Sequence, residues 1–319
     1  MKITYLKITA LFMALLASDC YRSVAQTSNY EDKNVSVNVS GVKGFHVGFY
    51  AGALFPSNYS ADLYDGYGID ANGNKNNFLN SVMLQRMTLL GLDSVNCPQI
   101  HGAATSYPDQ IGPAIGATSH DQWSFDSTDM PITLKYTTAF LFGLQLQYGI
   151  NRSEGLILNA NFAKVNVTGT FTMTLHNNLV NPSLGDSVLY FGITGQEQRF
   201  NLQLGYSRVL GDPDEMFNFL LEGGLLFNST KFVNNYANIG SLKIDLTPFT
   251  YNGGYQNNYL PTQYNSTGYG AFAGIGGNLC TTKYIIQLLY TPSYEYIGIG
   301  AAPAAKLQNA IGMRFYYGL

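Results

Sequence analysis

Charge is scarce in this chain. Only 12% of its 319 residues are Asp, Glu, Lys or Arg, about half the usual share of roughly 25% in soluble domains. The net charge of −3 shows no basic stripe, which argues against a nucleic-acid-binding surface. Cysteine is scarce too, with three in all, so no disulfide framework of a small secreted domain is present. Histidine numbers four (His46, His101, His120, His176), and no two stand at the spacing of a zinc site. No GxSxG motif occurs. Beyond the first twenty-odd positions no stretch reaches the ~18 consecutive apolar residues of a transmembrane helix.

Glycine (34), tyrosine (24) and phenylalanine (19) are plentiful instead. The N-terminus carries Lys2 and Lys7, then the apolar run "ITALFMALLAS", then Ser23 and Ala25 before Gln26. This is the pattern of a secretory signal peptide, so residues 1–25 are expected to be cleaved. Asp19 before Cys20 disfavours a lipid-attachment motif. An exported chain without a spanning helix is either free outside the cytoplasm or inserted as strands. Only a closed barrel satisfies its backbone groups in lipid.

Eight segments alternate with a period of two, the signature of half-buried strands. They are "GFHVGFYAGALF", "ITLKYTTAFLFGLQLQYGI", "GLILNANFAKVNVTGTFTMTL", "QRFNLQLGYSRVL", "MFNFLLEGGLLFNSTKF", "GYGAFAGIGGNL", "YIIQLLYTPSYEY" and "NAIGMRFYYGL". In the third, the apolar parity changes from Leu156, Leu158 and Phe162 to Val165, Val167 and Phe171, which predicts a bulge near Ala163. Pro292 marks where the seventh strand leaves the bilayer or ends. Connections alternate in length. Short turns lie at 151–154, 211–215 and 280–283, and long polar loops at roughly 56–130, 176–196, 233–266 and 297–306. That alternation belongs to membrane barrels, with short turns on the periplasmic side and long loops outside.

The predicted fold is therefore an all-β, transmembrane, antiparallel up-and-down barrel of about eight strands, or ten if the first loop or residues 26–43 add strands. Residues 26–43 form a short periplasmic segment, and 44–319 the barrel. A mean hydropathy of −0.02 is consistent with this, because lumen-facing residues offset lipid-facing ones. The signal peptide, the alternating segments and the aromatic terminal strand "GMRFYYGL" together resemble the small outer-membrane β-barrel families of Gram-negative bacteria, the OmpA-, OmpX- and PorT-like group. The chain ends in Gly318–Leu319 rather than in phenylalanine. The resemblance implies outer-membrane lipid and the barrel-insertion machinery as partners. It brings no motif for catalysis, cofactor or metal, and for PorT-like relatives it implies a place in a secretion or motility complex.

The other parity is the lumen. It holds His46, Tyr50, Gln145, Gln147, Asn201 and Gln203 among its polar groups, and Arg199, Glu222 and Arg314 as charges. Buried charges need partners, so a network centred on Glu222 is expected, with Arg199 on the neighbouring strand as its partner. Such a network either plugs the barrel or lines a path for ions or small solutes. In the first loop, Phe78, Leu79, Val82, Met83, Met87 and Leu90 recur at helical spacing between Asn77 and Gly91. This predicts an amphipathic helix over the barrel mouth, a loop core or a partner-binding element. The segment containing Tyr255, Tyr259 and Tyr264 mixes Tyr with Asn and Gly, a composition suited to contact with an envelope protein or an external glycan. "HDQWSFDSTD" (120–129) gathers one histidine and three aspartates, and is expected to be a polar loop. Cys97 and Cys280 fall at opposite ends of the barrel and should not pair, because a bilayer core of ~30 Å separates them.

Overall fold

The structure, a computed structural model, describes residues 44–58, 61, 64, 83, 87, 107–131, 134–177, 185–212, 215–246, 265–280, 284–297 and 305–318. The signal-peptide and 26–43 expectations lie outside these residues, as does Cys97.

Eight long or medium strands close into an antiparallel ring. They are β1 (Gly44–Phe55), β4 (Ala139–Gly149), β5 (Glu154–Leu175), β6 (Ser187–Leu210), β7 (Phe217–Ile239), β9 (Asn265–Cys280), β10 (Tyr284–Tyr296) and β11 (Ala305–Gly318). Each pairs with its neighbour in sequence, and β1 pairs with β11 from His46↔Gly318 to Phe55↔Asn309. The first and last strands therefore seal the cylinder, leaving no free sheet edge within the ring.

Outward positions form the apolar belt. On β7 it runs from Phe217 and Phe219 to Phe227, and on β11 from Leu307 to Tyr317, all exposed. Ten residues of a tilted strand climb about 25 Å, the height of a lipid-facing band. A cylinder that exposes this much Phe, Leu and Tyr while burying Gln, Asn and Arg is built for a bilayer.

The strands β5, β6 and β7, of 22, 24 and 23 residues, rise well past this belt. The expected bulge near Ala163 is absent. The ladder of β5 with β6 keeps one register from Glu154↔Arg208 to Leu175↔Ser187, and the odd-numbered residues of β5 from Gly155 to Val167 all face inward. What changes is the chemistry of the two faces. Below Ala163 the outward residues are Leu156, Leu158 and Phe162, and the inward ones are Asn159 and Asn161. Above it the outward residues are Lys164, Asn166, Thr168 and Thr170, and the inward ones are Val165, Val167, Phe171 and Met173. The strand leaves lipid for water, so the apolar face turns from outside to inside. The bulge that does occur lies on β7, where Gln196 pairs with Asn234 and Glu197 with Phe232, skipping Val233.

Two other expectations are corrected. The second alternating segment is not one strand. A break separates β3 (Lys135–Tyr136) from β4, and Tyr136 turns inward, 8% exposed. Pro292 does not end its strand. It stays opposite Asn309, and β10 runs on to Tyr296. Two expected loops also shorten, because β6 begins at Ser187 and β7 runs to Ile239.

The projecting extension keeps its edges covered. Beyond Ala163, where β4 ends its ladder, β5 pairs with β3 and then with β2 (Trp123–Ser124). The Thr172 and His176 amides donate to the Asp129 and Gln122 carbonyls at 3.0 and 2.8 Å. The β7 edge beyond Lys231 pairs with β8 (Leu242–Asp245). Inside the extension, Met83, Met87, Trp123, Phe125, Met130, Phe171, Met173, Ile193, Ile239 and Ile244 form an apolar core. The helix α1 (Tyr107–Ile115) adds Ile111 to it. This is a small cap with an ordinary hydrophobic interior, stacked on a barrel with the opposite polarity.

Candidate functional site

The barrel interior is filled in layers. At the turn end, Val209, Leu220, Cys280, Ile285, Leu289 and Tyr316 make an apolar floor. Cys280 is buried and unpaired. Above the floor crosses an ion pair. The Arg314 guanidinium on β11 reaches over the lumen to Glu222 on β7, with Nη2 donating to Oε1 at 2.8 Å and Nη1 donating to Oε2. The pair is bidentate, and both side chains are at most 2% exposed. Tyr50 lies beside it, with the guanidinium carbon 5.9 Å from its ring centroid. Gly274 on β9 makes room, since a methyl group there would collide with the Glu222 side chain.

The expected partnership of Glu222 with Arg199 is not formed. Their strands are adjacent, but the register sets Glu222 opposite Ser207 and Arg199 opposite Thr230. Arg199 sits higher, where it pairs with Glu197 two residues along the same strand. Glu197 is fully buried and is the centre of a second cluster. The Tyr64 and Tyr136 hydroxyls donate to its Oε2 at 3.0 and 3.1 Å. Arg199 lies 5.0 Å from the Tyr136 ring centroid and donates to Gln308, which also accepts the Ser57 amide at 2.7 Å. Tyr64 comes from the first long loop. Its ring stacks on Phe232 at 5.3 Å and occupies the space left by Gly195, where any side chain would overlap it. Burial first, then the neighbouring Glu197 carboxylate, push the Tyr64 phenol far above its ordinary pKa, which keeps it a donor.

Sequence parity missed Glu197, Tyr64 and Tyr136. Glu197 was legible, because it shares the odd parity of Arg199. Tyr64 was not, because its strand neighbours come from distant parts of the chain.

The polar residues between these clusters follow the slant of the barrel. Successive cross-strand partners read Asn218, Asn278, Gln287, Arg314, Tyr50, Gly143, Asn161, Asn201, Asn228. This row climbs around the wall from the floor to the neck. At its top the Asn228 amide donates to Glu295 and to the Tyr296 carbonyl, both at 2.9 Å. The next row holds Gln145, Asn159 and Gln203, linked by Asn159 donating to Gln203 at 3.1 Å. His46, Tyr50, Gln145, Gln147, Asn201 and Gln203 are all buried in the lumen wall.

The first-loop residues Met83 and Met87 are helical and fully buried in the cap core. Of the alternatives expected for this segment, the burial of these two residues matches a loop core: they hold the loop to the extension. Phe78, Val82, Tyr255, Tyr259 and Tyr264 lie outside the described residues. In 120–129, Asp126 accepts from Thr128 and Asp129 accepts from Thr172. The bonds from Thr128 lower the Asp126 pKa. These carboxylates staple turns, and no cluster of potential metal ligands occurs among the described residues.

A closed eight-strand barrel with an apolar outward belt and a lumen lined by buried polar and charged side chains defines the class: a small transmembrane β-barrel. Among solved structures the chain is similar to the outer membrane protein OprG from Pseudomonas aeruginosa, at 10% identity and a TM-score of 0.39, covering 88% of this chain and 99% of that one. It is also similar to Ail, the attachment invasion locus protein of Yersinia pestis, solved in complex with the heparin analogue sucrose octasulfate. That match has 12% identity and a TM-score of 0.30, over 86% of this chain and 98% of that one. At such levels neither protein's role carries over. No family model matches the sequence, and a search of curated proteins found no match.

Proposed function

We propose that this chain is a non-enzymatic outer-membrane β-barrel, exported by its signal peptide, that acts structurally and through its outward-projecting cap and loops. One observation carries the reading. Two separate charge clusters, Glu222–Arg314 and Glu197–Arg199–Tyr64–Tyr136, lie at two heights in the lumen, and the apolar cap core stands above them. A solute path would have to break both clusters and the cap. What the chain spends on height, in β5–β7, supports a surface role in contact with an envelope partner or an external ligand.

Planar-bilayer recording tests the plug. The purified barrel should insert without steady conductance. Discrete channel steps from the parent barrel would instead establish a small ion or solute channel. Co-purification from mildly solubilised membranes tests the partner role, and recovery of the chain alone would count against it.

A further inference from the structure

The bulge on β7 builds a seat in the upper lumen. From Leu226 to Phe232 the even-numbered residues face inward, and beyond Val233 the odd-numbered ones do. The bulge thereby turns both Phe232 and Asn235 into the lumen, and bulges re-aim side chains in this way beside functional sites. On the neighbouring β6, Gly195, Glu197 and Arg199 follow one another on the inward face. Around the Tyr64 ring these residues take separate parts. Gly195 clears the space, Phe232 stacks on the ring at 5.3 Å, and Tyr136 meets it edge-on at 6.4 Å. Glu197 accepts the hydroxyl at 3.0 Å, and the Asn235 amide donates to the Tyr64 backbone carbonyl at 3.1 Å. Ring, hydroxyl and main chain of one tyrosyl residue are each recognised. The match is nonetheless incomplete. Asn235 is 2% exposed, and its Oδ1 accepts no hydrogen bond among the described residues. An amide that meets a carbonyl with its nitrogen can accept a main-chain N–H with its oxygen, and the Tyr64 segment leaves that bond unmade.

We propose that this seat is a binding pocket for a tyrosine presented on an extended peptide segment of a partner, and that Tyr64 is its resident occupant until such a segment displaces it. The walls belong to β3, β6 and β7 rather than to the first loop, so the pocket does not depend on Tyr64 for its construction. The occupant follows from what the walls recognise. A bare phenol would leave the Asn235 amide without its carbonyl. A phenylalanine would leave the buried Glu197 carboxylate one donor short, which costs more than an unmade bond between neutral groups. The inference deepens the envelope-partner reading above and rests on it.

The test uses the full mature chain in lipid nanodiscs, with Tyr64→Ala emptying the seat and saturation-transfer NMR reporting bound probes. The probes are N-acetyl-tyrosinamide, N-acetyl-phenylalaninamide and p-cresol. The hydrogen bond to the Glu197 carboxylate should favour the tyrosyl over the phenylalanyl probe by roughly 10- to 100-fold. The carbonyl bond should favour it over p-cresol by roughly fivefold. The parent should bind N-acetyl-tyrosinamide more weakly than Tyr64→Ala does, because its own tethered ring competes at millimolar effective concentration. Adding Gly195→Val to Tyr64→Ala fills the vacated space and should abolish binding. The proposal is overturned if Tyr64→Ala binds no probe, if it binds the tyrosyl and phenylalanyl probes equally, or if binding survives Gly195→Val. p-Cresol bound as tightly as the tyrosyl probe overturns the peptide occupant. Where gel mobility shows that Tyr64→Ala does not form the ring, Tyr64→Phe takes its place, since it keeps the stacked ring and removes the hydroxyl. It should yield to N-acetyl-tyrosinamide at a lower concentration than the parent, and equal concentrations overturn the proposal. Co-purification bears on the partner reading alone, because this measurement uses no partner.

Discussion

Replacing Glu222 by glutamine keeps the shape of the side chain and removes its charge. The Arg314 guanidinium, 2% exposed, then stays in the lumen with its charge unmatched. Breaking a buried pair by removing one partner costs about 3–5 kcal/mol, which at about 1.4 kcal/mol per factor of ten is a shift of roughly 10²- to 10³-fold or more in the folding equilibrium. Replacing both partners by apolar residues of similar volume, Glu222→Leu with Arg314→Met, should cost far less, because the desolvation of two charges is recovered when the pair is removed whole. The assay is urea unfolding in lipid vesicles, followed by the gel mobility of the unheated barrel. The expected result is a large loss for Glu222→Gln and a smaller one for the double variant, hence a strong favourable coupling between the two sites. Equal losses, or a single-variant loss below about 1 kcal/mol, would refute the argument that this pair is sealed from water.

Other consequences are smaller in scope. Trp123 is the sole tryptophan and is buried in the cap, so its fluorescence reports on the cap alone; Met87→Ala should destabilise that signal by about 2–5 kcal/mol while gel mobility, which reads the ring, changes little. Gly195→Val should expel Tyr64 from its seat against Glu197, and limited proteolysis of intact vesicles should then cut the first loop faster.

Alternation made the ring legible from the sequence, since a period of two directly assigns each residue to lipid or lumen. The same parity placed Glu222, Arg199 and Arg314 inside. It could not set their heights, because register depends on pairing between chains of residues remote in sequence. Hence Arg199 looked like a neighbour of Glu222, when Ser207 holds that place. The Ala163 transition misled for a different reason. A change of solvent along one strand and a one-residue slip give the same pattern of apolar letters, and only the continuous pairing of β5 with β6 separates them. The helix α1 hid behind Pro113 in its interior, although Pro108 and Asp109 in its first turn and Gly116 at positive φ beyond its end are ordinary boundary signals. Met83 and Met87 gave the right spacing for a helix, and their burial selects the loop core among the alternatives that the spacing left open.

The reversal of faces at Ala163 also divides each tall strand between two surroundings: the lower half offers its greasy groups to the outside, and the upper half gathers them around Trp123, Phe171 and the methionines, so one continuous ladder serves two cores of opposite sense.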